Sequence, residues 1–254
     1  MTGTAGDTRT LYLLHGWGLG RAVWQPLHDP LSRHLRVIVG DLPGYDEAPD
    51  DDTDFVATAQ ALVDTLPTGV TLCGWSLGAM LALQAAALAP RRVARLILFG
   101  ATPCFVQRAD WLPAQRPALV DDFAASVAND REHTLRRFVA LLNQGDKQAR
   151  PIGRSLVAGL SAAPLPAIAS LLRGLDWLRE IDLRPLLPTI AVPTLLIHGE
   201  NDAINPLAAA RHLQATIPDA RLATIADAGH APFLSDPERC VQLLIDFCAP
   251  AIAP

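Results

Sequence analysis

Six short apolar runs set the architecture: TLYLL (10–14), RVIVG (36–40), VTLCG (70–74), ARLILFG (94–100), PTLLIHG (193–199) and ARLATIA (220–226). Between them lie longer stretches with helical spacing, at 54–66, 78–89, 206–216 and 237–248. Continuous apolar runs of four to eight residues fit strands buried on both faces, and strands separated by helices join in parallel through crossovers. The alternation therefore predicts the α/β class, a mostly parallel sheet flanked by helices. At 254 residues, half of them hydrophobic and 19% charged, the chain can bury a substantial core and is not of disordered composition. It holds no internal repeat or low-complexity linker.

One region breaks the rhythm. From Pro103 to about Pro188 no strand is evident, and prolines at 113, 117, 151, 164, 166 and 185 divide several short helices. Sheet building resumes at Val192. The expected organisation is a single domain over 1–254, with a core of about 1–102 and 189–254 and a helical lid of about 103–188. Charge is divided unevenly, with 11 basic and 9 acidic residues in the insertion against 10 and 17 elsewhere.

The net charge of −5 gives no footprint for nucleic-acid binding by the whole surface. Arginine supplies 20 of the 21 basic residues, Lys147 being the single lysine. Cys73, Cys104, Cys240 and Cys248 have neither zinc spacing nor the density of a disulfide scaffold, so buried free thiols are expected. The opening MTGTAGDTRT lacks the apolar core of a signal peptide, and no run of about 18 apolar residues offers a membrane span. A cytoplasmic monomer with no membrane or nucleic-acid partner is the expectation.

The chemistry concentrates at GWSLG (74–78), a G-x-S-x-G match between an apolar run and a helical stretch. In that setting a serine occupies a strained strand-to-helix turn that exposes its hydroxyl, and the glycines remove side chains that would clash. Ser76 is the expected nucleophile; the alternative is an ordinary helix cap. A similar Gly159-Leu160-Ser161 lacks both the second glycine and the strand. A serine hydroxyl needs a base. His230, in DAGHAPF after the last apolar run, is the best placed of seven histidines. His198 is expected to end a buried strand and His15 to brace the LHGWG turn. His28, His34, His133 and His212 fall in helical patterns and should be solvated.

The imidazole in turn needs a carboxylate to fix its tautomer. Asp202 in HGENDAINP follows a strand end, with Glu200 and Asp227 as rivals and a helix cap near Pro206 as its structural role. The order Ser76, Asp202, His230 is that of α/β-hydrolases. Backbone N–H groups of Leu77, just after the nucleophile, and of Trp17, in the glycine-containing loop after TLYLL, are candidates to hold a developing oxyanion. The Trp17 ring is placed to form a pocket wall. This chemistry requires no metal or organic cofactor.

These motifs resemble the α/β-hydrolase superfamily. Within it, LLHGWGL (13–19), DLPG (41–44), GWSLG, TPCF (102–105), RFVALL (137–142), HGENDAINP (198–206) and AGHAPF (228–233) are similar to the pimeloyl-[acyl-carrier protein] methyl ester esterases of biotin synthesis. The resemblance implies an α/β-hydrolase fold with a helical lid, and a serine esterase that removes a methyl group from a carrier-bound acyl chain. It implies that Trp17, Ser76, Leu77, Phe138 and His230 surround the ester, and that Val139, Ala140, Leu141 and Leu142 continue the acyl slot. The partner implied is an acidic acyl-carrier protein. Residues 131–154 hold six basic and two acidic groups, and Arg137, Arg150 and Arg154 match positions where the family's lid meets its carrier.

Three features depart from the family pattern. His133 stands where another basic group can occur, GYDEAPDDD (44–52) is unusually acidic, and residues 1–9 hardly provide the usual opening strands. A general short-chain carboxylesterase, an enol-lactonase or a carbon–carbon bond hydrolase is the alternative within enzymes. Dehalogenases and epoxide hydrolases place Asp at the elbow. A catalytically silent binding module is the alternative outside them, against which the intact Ser, Asp and His stand.

Overall fold

A computed structural model describes residues 10–50 and 52–249. The expectation about the opening strands falls on residues 1–9 and lies outside the described residues. All six apolar runs form strands, within a residue or two of the expected bounds: β1 (Thr10–Leu14), β2 (Arg36–Gly40), β3 (Val70–Trp75), β4 (Val93–Phe99), β5 (Thr194–Gly199) and β6 (Ala220–Ile225). They pair in parallel throughout, in the order β2-β1-β3-β4-β5-β6. The sheet among the described residues is thus wholly parallel, an α/β-hydrolase arrangement.

The order places a switch point between β1 and β3. From β1 the chain first moves outward to β2, returns through α2 (Phe55–Thr65) to β3, and then builds the other way. The connections leaving the carboxyl ends of β1 and β3 consequently run in opposite directions, and open parallel sheets bind their ligands in the crevice outside such a point. The α3 helix (Leu77–Leu88) follows β3 and is buried without interruption from Leu77 to Ala86. Its leucines, alanines and Met80 show no polar face, as expected of a helix enclosed on all sides. The outer layer is completed by α1 (Gln25–Ser32), α8 (Leu207–Thr216), the single turn α9 (Pro232–Ser235) and α10 (Pro237–Cys248). All four cysteines are buried and unpaired.

Between β4 and β5 come α4 (Pro117–Asn129), α5 (Arg131–Leu142), α6 (Ala149–Ala162) and α7 (Ile168–Glu180). Asp130 separates α4 from α5 and caps the second, its carboxylate accepting from His133 N–H at 2.9 Å. At the base, Leu183 N–H reaches Pro103 O at 2.8 Å, so the chain leaves and rejoins the core at one neck. The helices differ in how firmly they are held. α7 buries Ser170, Leu171, Gly174, Leu175, Trp177 and Leu178, whereas α6 buries Ile152 alone. The acidic 44–50 stretch meets α7, where Asp50 pairs with Arg173. Among the described residues no helix is long and apolar enough to cross a membrane.

Candidate active site

Ser76 sits at the turn from β3 into α3 with φ 55° and ψ −116°, a left-handed backbone rare for residues other than glycine. Its N–H is held by Phe99 O at 3.0 Å. The flanking glycines are there for space. A Cβ on Gly74 would lie 2.3 Å from Gly78 O, and one on Gly78 would lie 2.3 Å from His15 O. No side chain fits at either position without displacing backbone. The Ser76 side chain makes no capping bond to α3, so the plain-cap role does not apply.

Asp202, after β5, and His230, after β6, meet at the same end of the sheet. His230 Nδ1 and Asp202 Oδ2 are 2.8 Å apart, with both side chains fully buried. The other carboxylate oxygen, Oδ1, accepts Ile204 N–H at 2.9 Å and Asn205 N–H at 2.8 Å. An acceptor-only carboxylate forces the proton onto His230 Nδ1, which leaves a lone pair on Nε2. Nε2 is buried and forms no hydrogen bond, with Ser76 or any other group. The His230 carbonyl accepts Trp75 Nε1–H at 2.9 Å, and the two rings lie 5.5 Å apart, which places the imidazole beside the residue preceding Ser76. Both rival carboxylates, Glu200 and Asp227, are exposed. Asp202 does not cap α8, whose N-cap is Pro206.

The remaining histidines follow their sequence contexts with one addition. His15 accepts Leu42 N–H at Nε2 (3.1 Å) and donates from Nδ1 to Gly16 O (2.8 Å), bracing the turn. Its burial drives the imidazole pKa down to about 4, so it stays neutral. His34 and His133 are exposed and His28 and His212 partly so, His212 with its ring on Trp111. His198 ends β5 and bonds Asn205 O at 2.7 Å, but its Nε2 also lies 3.3 Å from Asp202 Oδ2. Burial lowers its pKa as well. The carboxylate oxygen that holds His230 therefore faces two imidazoles, which the sequence does not disclose.

Leu77 opens α3, where the first N–H groups of a helix lack partners within it. The loop after β1 lies against the elbow, since a Cβ on Gly16 would be 3.1 Å from Ser76 Cβ. In that loop Gly18 N–H is committed to Tyr45 Oη at 3.0 Å. The Trp17 indole donates to Leu171 O at 2.8 Å and meets Phe138 edge-on at 5.0 Å, fastening the loop to α7 and α5.

Beside Ser76 opens a narrow apolar slot, walled by Trp17 and by residues of α4, α5 and α7. Ser76 is the one hydroxyl among its lining residues. Of the 138–142 stretch, only Phe138 and Leu141 face it, as a spacing of three on a helix requires. Val139 and Ala140 line a different groove, between α5 and α6. Leu142 is buried, and its carbonyl accepts His230 N–H at 3.1 Å. Leu119, Phe123 and Leu175 are not legible in the sequence as slot walls, because which face of an insertion helix turns inward depends on its packing partner, and Phe105 and Ile204 reach the slot from loops that carry no periodicity. Arg150 and Arg154 share the α5–α6 groove with Arg136. Arg137 points elsewhere, over the Phe123 ring at 5.4 Å and toward Ser126 Oγ at 3.2 Å.

One cluster of described residues has metal-ligand chemistry, His15 with Asp41 and Asp46. Both His15 nitrogens are already bonded, and the Arg21 guanidinium lies 3.3 Å from Asp41 and 4.0 Å from Asp46. His15 is thus committed to holding the turn, and the countercharge beside the two carboxylates is Arg21.

Comparison with known proteins agrees with this geometry. Residues 9–237 match the α/β hydrolase fold family. The pimeloyl-[acyl-carrier protein] methyl ester esterase of Aromatoleum aromaticum is 44% identical over 241 residues, covering 93% of this chain and 96% of that one. Its counterpart in Nitrosomonas europaea is 40% identical, covering 94% and 95%. Among solved structures, an esterase from Exiguobacterium antarcticum superposes with a TM-score of 0.86 at 27% identity, over 96% of this chain and 92% of that one. With its parallel sheet, its strained serine between β3 and α3 and a family match across nearly its whole length, the chain belongs to the α/β hydrolase fold family.

Proposed function

We propose that this chain is a cytoplasmic serine carboxylesterase that hydrolyses the methyl ester of a pimeloyl chain carried on an acyl-carrier protein, freeing the distal carboxyl group for biotin synthesis. The observation that carries the chemistry is the Asp202–His230 pair, whose one unbonded ring nitrogen is a base buried next to the Ser76 elbow. The substrate follows from two relatives of that name at 40–44% identity over almost the full chain. The slot supports it: an apolar cleft with a single hydroxyl suits a methylene chain ending in an ester.

In this reading His230 Nε2 takes the Ser76 proton as Oγ attacks the ester carbonyl. Trp17 and Leu77 N–H groups receive the oxyanion, each such donor being worth roughly 10²–10³ in turnover. The imidazolium, stabilised by Asp202, then protonates the departing methanol. Water, deprotonated by His230, releases the acid from Ser76. Residues 103–188 act as a lid within one domain, and Arg150 and Arg154 on α6, with Arg137 on α5, meet the acidic carrier.

The test compares a carrier-linked pimeloyl methyl ester with a small free methyl ester. Ser76→Ala should lose at least ~10³-fold on both while keeping its fold. Arg150→Glu with Arg154→Glu should raise KM for the carrier substrate and spare the small ester, with an effect that fades in salt. Arg137→Glu should do less, since that side chain is engaged with α4. No preference for the carrier-linked ester in the parent protein would point to a general short-chain carboxylesterase instead.

A further inference from the structure

His230 is not placed by the sheet. β6 ends at Ile225 and α10 begins at Pro237, and between them the chain forms only turns and the single turn α9. What meets this loop is the corner joining α5 to α6, residues 142–147, and three hydrogen bonds, besides those of Asp146, join the corner to the loops of the site. His230 N–H donates to Leu142 O (3.1 Å) and Lys147 N–H to Asp227 O (2.9 Å). Asn201 Nδ2–H, next to Asp202, donates to Gly145 O (2.9 Å). The approach is close enough that a Cβ on Gly229 would lie 2.9 Å from Leu142 O.

At the centre of the junction is Asp146, 8% exposed. Its Oδ2 accepts Gly229 N–H at 2.7 Å and the Ser235 hydroxyl, one residue before His230 and five after it. Its Oδ1 accepts Gln148 N–H at 2.6 Å, which holds the carboxylate in its own corner. Hydrogen bonds to an ionised carboxylate are stronger than those between neutral groups. A buried carboxylate accepting from both sides of the His230 position is thus a clamp on the backbone that carries the base.

We propose that Asp146 is a positioning residue for His230, fixing the backbone of its loop so that Nε2 is aimed at Ser76, while Asp202 fixes the ring. The proposal rests on His230 as the base. Asp202 sets the rotation and tautomer of the imidazole, but a pivot whose Cα drifts still misses its target, and a displacement of about 1 Å is worth ~10²-fold in rate. Because the same corner ends α5, which carries Phe138 and Leu141, the clamp also registers the base against the slot wall.

The test uses a small methyl ester, so that carrier binding plays no part, and compares Asp146→Ala, Asp146→Asn and Ser235→Ala with His230→Ala. Asp146→Ala should lower kcat at least ~10-fold with KM within about twofold of the parent, as expected when transition-state alignment is lost and ground-state binding is kept. Asp146→Asn keeps one carbonyl oxygen for Gly229 N–H but sets its NH₂ against Gln148 N–H, and should recover only part of that kcat. Ser235→Ala removes one donor and should fall between. If Asp146→Ala does not fold, the other two variants decide, and parent-like kcat in both overturns the proposal. It is also overturned if Asp146→Ala folds with kcat within about twofold of the parent, or raises KM alone. Turnover persisting in His230→Ala would instead remove the base assignment on which the proposal stands.

Discussion

Replacing Asp202 by asparagine tests the site with almost no change in shape. The carboxylate holds two backbone N–H groups on Oδ1, while on Oδ2 it holds His230 Nδ1–H at 2.8 Å and faces His198 Nε2 at 3.3 Å. An amide has one acceptor. With its oxygen at the Oδ1 position, both backbone bonds survive and the NH₂ points at the imidazoles. His230 must then accept at Nδ1 and carry its proton on Nε2, where it cannot act as a base. Flipping the amide restores the tautomer but sets NH₂ against two buried N–H groups, at about 1–3 kcal/mol for each unsatisfied donor. The productive form is therefore a minor population, and the negative charge that stabilises the imidazolium is gone from it as well. Together these predict a kcat loss of ~10⁴, about 5.5 kcal/mol in barrier. The assay is turnover of a small ester, with thermal melting to confirm that the Asp202→Asn variant folds as the parent does. Glu200→Gln and Asp227→Asn, at exposed positions, should stay within about twofold. A loss below about tenfold in a folded Asp202→Asn protein would refute the tautomer argument.

Two further perturbations probe the surroundings. Gly174→Ala places a Cβ 2.6 Å from Trp17 Cδ1 and 3.3 Å from Leu77 Cδ2. Overpacking of this kind destabilises by about 1–3 kcal/mol, and here it pushes the ring that anchors the β1 loop. We expect a lower melting temperature with at least a ~10-fold fall in kcat/KM for a small ester, because that loop carries Trp17 N–H, the proposed oxyanion donor, and a displaced donor is worth that much or more. For pH, His15 has a folded pKa of about 4 against 6.5 in the unfolded chain, so the unfolded chain binds the proton first. Its contribution to stability is complete above pH 6.5, declines as pH falls and is lost by about pH 4, on the order of 3 kcal/mol in all. Burial pushes Asp41 up to about 6, and with the opposite sign this returns some stability across the same window. Urea denaturation at pH 7 and 4.5 should show His15→Gln losing less stability on acidification than the parent; equal losses would contradict the assignment.

The parts of the fold legible in the sequence are those where one local signal suffices. The four central apolar runs form strands because parallel strands buried on both faces need no alternation, while β2 and β6 lie part-buried at the edges; GWSLG sits at a strand-to-helix turn because its glycines admit backbone contact and little else. The strain at Ser76 and the burial of Asp202 follow from the same local contexts. What the sequence hides depends on faces meeting across the chain. Val139 and Ala140 run on from Phe138 toward Leu141 as one stretch, although helical spacing alone sends them to a different groove. The slot walls on α4 and α7 lie far along the chain from the serine, and nothing local marks them. His198 reads as a strand end, which it is, yet its 3.3 Å approach to Asp202 arises only where the β5 loop folds back. Asp146 carries no motif at all.

The contrast between α3, enclosed from Leu77 to Ala86, and α6, which buries Ile152 fully and lays only the part-buried Leu156, Val157 and Leu160 on the core, governs how each tolerates substitution. Substitutions in the helix behind Ser76 are opposed by the whole interior, because every added or removed methylene there is felt as strain or a cavity. Substitutions on the solvent side of α6 displace little and cost little, so that face tolerates change far more readily than the turn that carries Ser76.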